Sequence, residues 1–152
     1  MDGADWSLRQ GHRLLQVGIV LFLFALLAGL AVPKFAVPRI GLSAHLLGIM
    51  QGIFLMVTGL LWPKLKLSRT ISQVGFWLAV YGCFAAWTAN VFAGISGAGN
   101  TMLSIAAGQA HGSALQEGII AIGLRTAAVS LIAVSLLILW GLRGFAVDHS
   151  DR

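Results

Sequence analysis

Four long stretches of the chain carry no charged side chain: Arg13 to Lys34, Arg39 to Lys64, Arg69 to Glu117 and Arg125 to Arg143. A helix needs roughly 20 mostly apolar residues to cross a bilayer, and the third stretch has room for a crossing and a loop. The pattern predicts four transmembrane helices, near 12–32, 41–62, 71–95 and 115–142. Together they form an all-α integral membrane protein, a single four-helix bundle over residues 1–152. Pro33 and Pro38 bracket the first connection, and Pro63 closes the second helix, because proline cannot continue one. The connection Lys64-Leu-Lys-Leu-Ser-Arg69 is short, so spans two and three are expected to be antiparallel neighbours. Residues 96–114 mix small polar and apolar residues without any charge. Two readings stay open for them: a lid dipping into the membrane against a protein cavity, or a partly helical surface loop.

Composition agrees with the pattern. Of 152 residues, 58% are apolar and 10% charged, where a soluble domain carries about 25% charged residues. Arg9, Arg13, Lys64, Lys66, Arg69, Arg143 and Arg152 flank one side of the predicted spans, and only Lys34 and Arg39 the other. The positive-inside rule then puts both termini in the cytoplasm. Topology accounts for most of the net charge of +5, and cations scattered over short loops without interleaved aromatics do not suit nucleic acid. Met1–Leu8, with Asp2 and Asp5, lacks the basic start and cleavage site of a signal peptide, so the first span is expected to be permanent. A single cysteine, Cys83, excludes an internal disulfide and reads as packing.

One ionisable side chain changes this picture. His45 lies inside the second span, where burial in hydrocarbon is costly and imidazole is a common metal ligand. At about 100° per residue, Gly48, Gly52 and Gly59 share nearly its helical face, leaving room for something flat, and haem is the obvious candidate. The same glycines also read as a helix-packing motif, and His45 as a hydrogen-bonded core histidine. Trp87, Asn90, Glu117 and Arg125 share the depth of His45, with Gln51 and Tyr81 in a deeper layer. Polar groups brought to one depth by four helices suggest an internal pocket. Arg125 lies too deep for a routine flank and calls for a carboxylate, a carbonyl cluster or a cofactor propionate. Glu117 reads equally as a helix-start carboxylate. Trp62 and Trp140 read as interfacial anchors. His111 is either surface or lid, and His149 belongs to the tail.

These residues resemble the hydroxylaminobenzene mutase family of bacterial membrane isomerases. The resemblance runs from about Arg9 to Gly144. It is carried by Arg9-Gln-Gly-His-Arg-Leu-Leu-Gln16, Gly41–Gly52, Gly59-Leu-Leu-Trp-Pro-Lys-Leu-Lys-Leu-Ser68 and Trp87-Thr-Ala-Asn90. It implies intramolecular rearrangement of hydroxylaminobenzene, a small aromatic hydroxylamine, to 2-aminophenol. A more distant likeness is to styrene oxide isomerase, through Ala44-His45 and Gln51-Gly52, with Gln51 where that enzyme has Asn. By that likeness His45 ligates haem b, Gln51 helps to position substrate, and the subunits form a homo-oligomer, a trimer in that relative. Its third-helix Asp and Tyr are not matched here, where Tyr81, Trp87 and Asn90 occupy that helix.

The expected site therefore has His45, Gly48, Gly52 and Arg125 around a ferric haem, and Gln51, Tyr81, Trp87, Asn90 and Glu117 around the substrate. The expected chemistry is Lewis-acid polarisation of the N–O bond and delivery of oxygen to the ortho carbon. A cofactor-free, acid-catalysed mutase keeps the reaction without the metal. A small multidrug transporter or assembly subunit, and an electron-carrying cytochrome, are the rivals from other classes. The expected location is the bacterial inner membrane, with lipid as a partner.

Overall fold

The computed structural model describes residues 3–143, so Arg152 and His149 lie outside the described residues. Helix α1 spans Gly3–Ala31, α2 Pro38–Leu61, α3 Arg69–Ser96, α4 Asn100–Ala107 and α5 Ala114–Leu142. Helices α1, α2, α3 and α5 are long and apolar enough to cross a membrane, and no strand occurs among the described residues. Three predicted spans match to within a few residues. α1 instead starts well before the predicted span, because Arg9 and Arg13 end the apolar run without ending the helix.

Local chemistry sets the other ends. Pro38 sits in the first turn of α2, where its missing N–H costs nothing. Pro33 and Pro63 sit in single 3-10 turns that close α1 and α2. Ser68 caps α3 by accepting from the Ile71 amide, and Ser113 with Gln116 forms a reciprocal capping box on α5. Helix α3 stops at Gly97, whose φ of 70° is the left-handed conformation that glycine adopts without a Cβ clash.

α2 packs on α1 and on α3, and α3 on α5, which leaves α1 and α5 at the edges. Glycine governs the α1–α2 contact. A Cβ on Gly59 would lie 2.6 Å from the Gly11 carbonyl oxygen, and one on Gly52 would lie 2.9 Å from that of Gly18. Such close backbone approach is what small-residue motifs provide in membranes, where lipid removes the hydrophobic drive for helices to associate. The main core joins Leu14, Leu21, Leu55, Phe76, Cys83 and Val134. Cys83 is packing, as expected. Trp62 is not an interfacial anchor: it is 2% exposed in this core, and its Nε1 donates to Gln10 Oε1 at 2.8 Å. Ser72 Oγ donates to the same oxygen at 2.9 Å, so buried Gln10 pins the starts of α1 and α3 to the end of α2. Trp140 stays exposed.

A second core closes the opposite end. Ala107 of α4 packs with Ile40, Ala93, Ala98 and Ile120, and the segment after α3 folds over the ends of α2, α3 and α5. The third loop is thus partly helical, through α4, and lies against the bundle.

Candidate functional site

His45 stands in the groove between α1 and α2. The groove has a volume of about 530 Å³ and apolar walls from Leu26, Gly29, Leu30, Val32, Pro33 and Leu42. The imidazole Nδ1 lies 2.7 Å from the Ala25 carbonyl oxygen. A carbonyl only accepts, so Nδ1 carries the hydrogen, and in the neutral ring Nε2 is left with its lone pair. Fixing one ring nitrogen on a carbonyl is how proteins orient a metal-binding histidine and select its tautomer. Gly29 makes the fit possible, since a Cβ there would lie 2.5 Å from Nδ1 and 2.7 Å from Cε1. A histidine held in this way could serve to hold the iron of a haem.

The glycines expected to leave flat space beside His45 do not. A Cβ on Gly48 would meet Ala25 Cβ and the Trp87 indole at 2.6 Å, and Gly52 lies against Gly18 and Phe22. Their face is filled by α1 and α3, so the flat space expected beside Gly48 and Gly52 is absent and the helix-packing reading describes them. The room lies toward Gly29 and the loop end of α1.

Gln51, Trp87 and Asn90 lie between helices. Gln51 is 7% exposed, and its Oε1 is buried with no hydrogen-bond partner; the buried Trp87 Nε1 also has none. The indole lies over Gly48, one turn of α2 from Gln51, and stacks on Phe24 with centroids 5.9 Å apart. An orphaned acceptor and an orphaned donor within one helical turn are unusual, because each loses its bond to water without a replacement. Buried Asn90 donates from Nδ2 to the Ala86 carbonyl at 3.0 Å.

The remaining expected residues are elsewhere. Tyr81 is half exposed on the outer face of α3, 2.8 Å from Thr126 Oγ1. Thr126 gives its only hydrogen to the Ile122 carbonyl, so the phenol is the donor in that bond. Arg125 is exposed on neighbouring α5. The Glu117 carboxylate accepts backbone N–H bonds from Gly99, Asn100, Thr101 and Gly112. Through these bonds it gathers the third loop. Among the described residues of one chain, these groups do not line one common internal pocket. Gln51, six residues beyond His45, projects about 120° around α2 from it, and α5 packs on the far side of α3.

Residues 10–143 match the sequence pattern of the styrene oxide isomerase family. The chain belongs to that family. It is 50% identical to hydroxylaminobenzene mutase HabB of Ectopseudomonas oleovorans over 132 residues, covering 87% of this chain and 80% of HabB. To hydroxylaminobenzene mutase HabA of the same organism it is 37% identical over 125 residues, covering 82% of this chain and 93% of HabA. No solved structure matches.

The matched region begins at Gln10 and ends at Arg143, so it takes in all of α2, α3, α4 and α5 and α1 from Gln10 onward. Membership makes the chain an isomerase and agrees with four membrane-spanning helices. Three groups in this isomerase escaped the sequence reading. The Ala25 carbonyl carries no side-chain signal. Gly29 was legible only as a small residue in a leucine-rich span. Gln10 gave no hint that two donors, Trp62 and Ser72, converge on it.

Proposed function

We propose that this membrane isomerase rearranges hydroxylaminobenzene to 2-aminophenol by moving the hydroxyl within the molecule, with His45 as ligand to a ferric haem b. The observation that carries the reaction is the 50% identity to HabB, whose name specifies hydroxylaminobenzene. The His45 geometry supports the haem, through the 2.7 Å bond that leaves Nε2 as the free ligand nitrogen beside an apolar groove. Bound there, ferric haem supplies a Lewis acid for the N-hydroxyl oxygen.

The chain's own residues do the rest. The Ala25 carbonyl holds the imidazole, and Gly29 keeps the space beside it. Gln51 Oε1, an acceptor, and Trp87 Nε1, a donor, are enclosed without partners between the helices, and would take a substrate N–H and oxygen only once the packing around them opens. The aromatic face of Trp87, backed by Phe24, favours the positive charge that spreads into the ring as the N–O bond weakens. Close packing around Gly48 and Asn90 excludes water that would compete for the ring.

The working form is a homo-oligomer in the bacterial inner membrane, with both termini cytoplasmic. Arg125 is an exposed cation more than two turns inside a span, at a cost of about 2.5–3.5 kcal/mol at mid-bilayer if left facing lipid. A second copy laid on the α3–α5 face, where Trp77 and Tyr81 are also exposed, removes that cost. Arg125 lies across the bundle from His45, so its pairing with a cofactor carboxylate belongs to a neighbouring copy. A proton-driven multidrug transporter needs a free acid within a span, and the Glu117 carboxylate, at a helix start, is taken up by backbone amides.

Purified protein incubated with hydroxylaminobenzene should form 2-aminophenol and show a Soret band. His45→Ala should lose both. A colourless, fully active wild type would overturn the haem assignment and leave the cofactor-free mutase.

A further inference from the structure

We propose that Glu117 is a latch that holds α4 closed over the loop end of the bundle, so that the oxygen reaching the ring is the substrate's own and not solvent's. The inference rests on the mutase reading and concerns a residue acting through the loop, a positioning residue. Glu117 Oε1 accepts from Gly99 N at 2.7 Å, Asn100 N at 3.1 Å and Gly112 N at 3.3 Å. Oε2 accepts from Thr101 N at 3.0 Å. These donors come from both ends of the segment between α3 and α5, so one carboxylate gathers it.

α4 has no cap of its own. Its N-cap is Gly99, which offers no side chain, and Glu117 supplies the missing acceptor from another helix at the positive end of the α4 dipole. Glycines set the turns of the segment. Gly97, Gly99 and Gly108 all have positive φ, and Leu103 breaks the helical geometry inside α4. A single side-chain bond, Asn100 Nδ2 to His111 Nδ1 at 2.9 Å, ties its two halves together.

What the segment covers gives the latch its consequence. Ala107 and Leu103 pack on Ile40, Ala93 and Ile120, and Ala93 stands one turn of α3 from buried Asn90. Outward, Ile105 is 91% exposed, which suits a short helix lying in the membrane interface. Lifting α4 opens the α2–α3–α5 junction to water. The substrate hydroxyl then leaves nitrogen with a proton, as water. A solvent water adds its oxygen to a ring carbon and loses one proton; the ring carbon then gives up its own proton while nitrogen takes one up, which restores the amine and the aromatic ring. The product is an isomer of the substrate and needs no oxidant, but its oxygen comes from solvent, and the para carbon becomes reachable.

Glu117→Gln puts an amide donor against backbone donors and should release part of the set. Full-length protein is assayed with hydroxylaminobenzene in heavy-oxygen water, against a protein-free control, and hydrogen exchange is followed over residues 97–113. Wild type should give unlabelled 2-aminophenol. Glu117→Gln should raise labelled product by about tenfold, with the para isomer appearing, and speed exchange at Gly99–Thr101 by about tenfold or more. Asn100→Ala, which removes only the exposed tie, should raise both by a few fold, and it decides the matter if Glu117→Gln does not fold. Unlabelled product with wild-type exchange in the variant that folds would overturn the latch. A wild type that forms no aminophenol would sink the mutase reading instead, and exchange alone would then decide whether Glu117 holds the segment.

Discussion

Gly29→Ala tests the histidine site without touching the histidine. The new Cβ would lie 2.5 Å from His45 Nδ1, 2.7 Å from Cε1 and 3.0 Å from Cγ, whereas ordinary contact begins near 3.4 Å. The methyl sits on a helical backbone that cannot retreat, so the imidazole must move by roughly an ångström. The bond to Ala25 starts at 2.7 Å and cannot absorb that displacement. Its loss should cost about 1–3 kcal/mol of stability. Loss of a partner that orients a metal-binding histidine typically weakens metal binding by about 10–100-fold. The protein should therefore fold, melt a few degrees lower and lose haem quickly. The assay is the Soret absorbance per polypeptide after purification, followed by the rate of haem transfer to an apo-globin acceptor. Gly29→Ala protein with wild-type haem content and wild-type transfer rate would refute the claim that the Ala25 bond orients a ligand.

Three further variants separate packing from chemistry. Trp87→Phe keeps a ring against Phe24 and deletes the unpartnered N–H, so melting should hold or rise by about 1 kcal/mol in stability while KM for hydroxylaminobenzene increases; an unchanged KM would count against a donor role. Gln10→Leu leaves Trp62 Nε1 and Ser72 Oγ buried without an acceptor, and should lower stability by about 2–3 kcal/mol in thermal melts while KM is preserved. Arg125→Met should weaken association of copies, read by mass photometry in nanodiscs; a variant that associates as wild type does and melts higher would show that Arg125 faces lipid.

Glu117 shows how position along the chain misleads. Its place at the start of a span near His45 in depth put it among the expected substrate groups, and only the path of residues 97–113 brings four amides onto it. Trp62 is similar: beside Pro63 and Lys64 it has the surroundings of an interfacial anchor, yet α1 extends past the apolar run and carries Gln10 to its indole. His45 was legible because an imidazole in hydrocarbon needs a reason, and its hydrogen-bonded state was one of the two readings that the residues allowed.

The sequence by itself determined the number and rough limits of the spans, the helical class and the packing role of Cys83. Each follows from a property of the chain alone: apolar length against bilayer thickness, proline at helix ends, and one thiol with no partner. Tertiary structure decided which residues meet. Residues at one depth on four helices look adjacent in a list, but they point along different radii, and the rotation of each helix is fixed by its contacts. Here the contacts of Gly11 with Gly59 and of Gly18 with Gly52 set how α2 faces α1. That rotation turns His45 into the α1–α2 groove and sends Gln51 to the α3 side, while the packing of α5 on α3 leaves Arg125 on the outside of the bundle.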